Sequence, residues 1–155
     1  MIKLAFYKPQ DIWGYIIAGW TKIFNWGSPL YCHVEIGFLV DGIWKWYSSA
    51  SRNWDGTTGT RWIDNDRLFE HPERWDVYNV EPVRPELDMI ATCEAEKGKK
   101  YDWWGIAGFT TLLGLLNDKN KWYCSEICHY VFFGQWESRV SPEKFYAECK
   151  RRFLK

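Results

Sequence analysis

The sequence holds five cysteines and three histidines, the residue types from which a nucleophile–base pair can be built. Cys124 is the cysteine best placed for it. It follows the polar run Asn117-Asp-Lys-Asn-Lys121, and around it Tyr123, Ile127, Tyr130 and Val131 recur at helical spacing. Cys124 therefore falls in the first turn of a predicted helix, where unpaired N–H groups and the helix dipole favour an anion. Thiols in such settings reach the nucleophilic thiolate form most readily. His33 opens a second stretch, at the start of a predicted strand that follows a proline-containing loop. An imidazole there can protrude from a sheet edge towards another element, and a thiol nucleophile needs such a base. The competing roles are a small buried hydrophobe for Cys124 and a structural histidine for His33.

The elements that must position the pair are also legible. Ser28 to Val40 and Ile43 to Ser49 are β-rich runs joined by Asp41-Gly42, the signature of a tight hairpin. A two-residue turn pairs Val40 with Ile43, and by extension Glu35 with Ser48 and His33 with Ala50. Alternation then puts His33, Glu35, Ser48, Trp44 and Trp46 on one sheet face. A third catalytic group must hold the histidine. Ser48 and Glu35 are both within approximate reach of it.

Ile2–Tyr7, Arg61–Asp64 and Trp75–Glu81 supply further strands, giving an antiparallel sheet of five. Helices are predicted from Asp11 to Asn25, from Pro85 to Lys97, and from an Ser141 N-cap to about Phe153. His71 lies in a surface-turn context. Trp103–Leu116 is a charge-free run of fourteen residues, too short to span a bilayer and expected as a buried helix.

Three motifs in order, Tyr31-Cys-His-Val-Glu-Ile36, Gly98-Lys-Lys-Tyr-Asp102 and Trp122-Tyr-Cys-Ser-Glu126, resemble the circularly permuted NlpC-type amidases of the YiiX/YaeF-like group. The resemblance runs from about Leu4 to Phe133. It implies an α+β papain-like fold, a small antiparallel sheet packed against the cysteine-bearing helix, in which the histidine strand precedes the cysteine. It also implies a Cys124–His33 hydrolase acting on an amide, with cell-wall peptide or muropeptide as the substrate partner. Tyr101 matches a family tyrosine near the nucleophile, where a phenol can help the Cys124 N–H hold an oxyanion. Arg52, Arg61 and the Ser51–Thr60 loop are expected along a polar substrate groove. Permuted relatives similar to lecithin–retinol acyltransferase open an alternative, acyl transfer on lipids by the same pair; a silent binding module is another.

Composition narrows the partners. Twenty basic and twenty acidic residues cancel, which gives no electrostatic case for nucleic acid. Residues 1–155 are expected to form one domain. The cysteines are odd in number and irregularly spaced, and the N-terminal segment lacks a secretory pattern. A reduced, cytoplasmic setting is expected on synthesis, with delivery to a wall or virion by a partner left open. No stable membrane insertion and no cofactor are expected. A zinc site from Cys32, His33, Cys124, Cys128 and His129 is disfavoured, because neighbouring side chains diverge on a strand and on a helix.

Overall fold

The computed structural model describes residues 1–10, 30–51, 56–102, 121–138 and 140–154. Among them it is an α+β structure. A five-stranded antiparallel sheet contains β1 (Ile2–Tyr7), β2 (His33–Val40), β3 (Ile43–Ala50), β4 (Gly59–Asp64) and β5 (Trp75–Val80), in the order β4-β3-β2-β1-β5. Four α-helices accompany it: α1 (Asn65–Leu68), α2 (Glu86–Glu96), α3 (Cys124–Phe133) and α4 (Pro142–Cys149). The helix expected over Asp11–Asn25, the residue Arg52 and the run Trp103–Leu116 lie outside the described residues. No helix of the described residues is long and apolar enough to cross a membrane.

The β2–β3 hairpin turns where expected. Val40 pairs with Ile43, and Asp41 and Gly42 both hold positive φ, 51° and 78°, as a twist-matched two-residue turn requires. Further along, the ladder keeps the expected register but is shorter than expected. The paired ladder ends at Ile36↔Tyr47, short of Glu35–Ser48 and His33–Ala50. Beyond that point the Ser48 hydroxyl donates to the Val34 carbonyl at 2.7 Å.

The main core lies between the sheet and α3. Leu4, Phe6, Val34, Ile36 and Phe38 meet Ile127, Cys128, Val131 and Phe132, all fully buried. Ala5 and Trp46 belong to a separate cluster with Leu68 of α1. Gly37 is required there: a Cβ at that position would lie 2.7 Å from the Trp46 ring. At α4, Ser141 caps the helix by accepting from the Lys144 N–H at 3.1 Å, with Pro142 in its first turn. Pro85 occupies the N-cap of α2.

Two short strands set the start of α3. β6 (Lys100–Tyr101) pairs in parallel with β7 (Lys121–Trp122), which puts Tyr101 beside the residues that lead into Cys124. The Trp122 carbonyl accepts from the Asp102 N–H at 3.2 Å and from the Ser49 hydroxyl at 2.7 Å. The residue two before Cys124 is thus fastened to β3 and to β6.

Candidate active site

Cys124 is the first residue of α3. Tyr123, the N-cap, has extended backbone angles and makes no side-chain cap hydrogen bond. One turn later, the Cys128 thiol reaches the carbonyls of Val34 and Tyr47 at 3.6 and 3.7 Å and Ser48 Oγ at 3.7 Å. These contacts hold the helix over the end of the β2–β3 ladder, where the strands cease to pair.

His33 is hydrogen-bonded to Glu35 and lies close enough to Cys124 for the two to interact by charge and hydrogen bonding. Its Nε2 lies 2.7 Å from Glu35 Oε1. The Trp75 ring stands edge-on to the imidazole, with centroids 6.1 Å apart. Glu35 is completely buried and takes a two-pronged grip from Arg61 of β4: Nη2 donates to Oε1 at 2.6 Å and Nη1 to Oε2 at 3.0 Å. Arg61 pairs with Ser48 across β3–β4, and its side chain reaches past β3 to β2.

The charges follow from this arrangement. Burial alone would lower the His33 pKa, but the Cys124 charge and hydrogen bond, joined by Glu35, raise it to about 9. Burial would raise the Glu35 carboxyl; the Arg61 charge and the bonds from His33 and Arg61 hold it below the usual range instead. Burial and the nearby Cys124 push the phenols of Tyr101 and Tyr123 well up, so both remain neutral donors. These two tyrosines form one buried cluster with Cys124. The sulfur's residue is 1 % exposed, whereas the His33 side chain keeps 22 % of its surface, so solvent meets the pair from the imidazole side.

Every expected site residue except Arg52 lies among the described residues. Cys124, His33, Glu35 and Tyr101 come together. Ser48 does not orient the imidazole, since its hydroxyl is spent on the Val34 carbonyl. Arg61, expected in the substrate groove, is bound to Glu35 and only 17 % exposed in its side chain. Sequence reasoning missed this grip because the β3–β4 register was not drawn. Pairing Arg61 with Ser48 would have put a guanidinium within reach of Glu35.

Cys128 and His129 go separate ways, the thiol into the sheet and the imidazole to α4. His129 Nε2 lies 3.1 Å from Glu148 and 3.5 Å from Glu137. The ligand atoms of these three residues fall within 4.8 Å of one another, but the Lys144 ammonium pairs with both carboxylates and already supplies a cation. A cleft of about 350 Å³ lined by Val40, Lys45, Trp62 and Glu94 lies at the hairpin end of the sheet, away from His33. Neither a protein-family model nor a curated protein matches the chain.

Proposed function

We propose that this chain is a cysteine hydrolase of the permuted papain-like, NlpC-type class, cleaving an amide in a cell-wall peptide. The observation that carries the reading is an imidazole bonded to a buried carboxylate and within interaction reach of a helix-N-terminal thiol. That is the arrangement by which a thiol is activated: a base within hydrogen-bond reach, itself oriented by a third group. Glu35 fills the orienting role.

In the reaction, the Cys124 thiolate attacks the amide carbonyl carbon and forms a C–S bond. The negative oxygen takes donors from the Cys124 N–H and the Tyr101 phenol. As the C–N bond breaks, the His33 imidazolium gives its proton to the departing amine. The neutral His33 then takes a proton from water, whose oxygen attacks the thioester. The carboxylic acid leaves, and Cys124 departs as the thiolate beside a reprotonated His33.

Muropeptides and short-chain phospholipids, each tested with the wild type and with Cys124→Ala, separate the substrate classes. Cleavage of a muropeptide amide that Cys124→Ala abolishes is the expected result. Cys124-dependent turnover of phospholipid but not muropeptide would replace the amidase reading with lipid acyl chemistry. Turnover of neither would favour a binding role.

A further inference from the structure

Glu35 is an unusual orienting group, because it is wholly buried and is bonded to two cation-bearing side chains through the same oxygen. Oε1 lies 2.7 Å from His33 Nε2 and 2.6 Å from Arg61 Nη2, while Oε2 accepts from Arg61 Nη1. A carboxylate in this position without Arg61 would leave a thiolate, an imidazolium and a carboxylate together, a net negative charge shielded from water. Such a site relieves itself by taking up a proton, and every anion in it competes for that proton. With Arg61 present the four groups sum to zero.

We propose that Arg61 is a positioning residue that balances this charge, allowing Glu35 to stay ionised while Cys124 and His33 hold a thiolate–imidazolium pair. The inference rests on the catalytic pair proposed above. Arg61 acts through Glu35 rather than on substrate. A guanidinium suits the task because it stays charged and its planar fork fits both carboxylate oxygens. Other groups lie within electrostatic reach of Cys124 or its neighbours: Cys32 ahead of β2, Asp102 after β6, Tyr101, Tyr123, Glu126 and Cys128, and Glu143 on α4. They are the same in every variant below, so differences between variants isolate the Glu35–Arg61 pair.

The charge count makes predictions of opposite sign. Arg61→Gln leaves the site more negative and should disfavour the thiolate. Glu35→Gln leaves Arg61 unbalanced and should favour it, even though His33 loses its orienting partner. Changing both restores the balance. The readout is iodoacetamide alkylation of Cys124, followed by peptide mass spectrometry from pH 5 to 10, with circular dichroism to verify folding.

The pH of half-maximal rate should rise by about one unit in Arg61→Gln and fall by about one unit in Glu35→Gln. In the double variant it should return to within about half a unit of the wild type. Arg61→Lys, which keeps the charge and loses the fork, should also stay near the wild-type value; it and the double variant carry the test if Arg61→Gln does not fold. Shifts in the same direction for the two single variants would mark a general loosening of the site and overturn the proposal. So would an unshifted Arg61→Gln, or an Arg61→Lys or a double variant displaced by a full unit. If those failures occur while His33→Ala changes the profile, the catalytic pair survives and the Arg61 role alone is lost. A profile indifferent to His33→Ala would overturn both.

Discussion

At the scale of single residues, reactivity here follows from partners more than from exposure. Cys32 is the more accessible thiol and Cys124 is nearly covered, yet only Cys124 joins a helix N-terminus to an imidazole. Burial raises the thiols of Cys93, Cys128 and Cys149, and no imidazole offsets it. Near pH 7, Cys124 should therefore be alkylated first, by at least about tenfold over Cys32, and His33→Ala should remove that preference. Equal labelling of Cys32 and Cys124 in the wild type would count against the pair. His33 also makes stability pH-dependent. Its folded-state value of about 9 lies above the ordinary 6.5, so its contribution is complete below about pH 6.5 and is lost as pH rises through 9. Urea midpoints should fall across that window in the wild type and fall less in His33→Gln. Of the site, Cys124 and His33 were readable from helix phase and strand position. The choice of Glu35 over Ser48 was not, because it depends on where a β-ladder stops pairing.

At the scale of elements, the start of α3 is placed by contacts rather than by its own cap. The Ser49 hydroxyl, fully buried, ties β3 to the Trp122 carbonyl just ahead of Cys124. Ser49→Ala should cost about 1–2 kcal/mol in denaturant unfolding and lower turnover beyond that stability loss, because the thiol drifts from His33. Gly37→Ala provides the contrast. Its added methyl meets the Trp46 ring, so it should destabilise by about 1–3 kcal/mol while leaving the pH profile of Cys124 alkylation in place. A shifted profile in Gly37→Ala would mean that the site responds to any strain in the sheet. The five main strands were legible from alternation and from Asp41-Gly42. β6 and β7 were not, since two-residue strands carry no period, and with them went the pairing that delivers Tyr101 to the cysteine.

At the scale of the whole molecule, the charges are sorted by burial. The Glu35–Arg61–His33 group sits inside, where breaking one partner leaves an uncompensated charge, and Glu35→Ala should cost about 3 kcal/mol or more. The Lys144–Glu137–Glu148 group between α3 and α4 is more than a third exposed at Lys144 and Glu137 and is screened by water. Lys144→Met should thus change unfolding by less than about 1 kcal/mol. Comparable losses at the two groups would contradict this ordering. Net charge and composition foretold neither group, because they count charges without saying which are buried or which meet.

The central claim is that Cys124 and His33 form one coupled pair, and titration of His33 by NMR tests it without a substrate. With the histidine ring carbons labelled, and His71 and His129 assigned by substitution, His33 should titrate near pH 9 in the wild type. In Cys124→Ala the largest cause of that rise is gone, and the titration should move down towards the ordinary histidine range. A His33 that titrates near 6.5 in the wild type, or whose titration is the same with and without the Cys124 sulfur, would contradict the account.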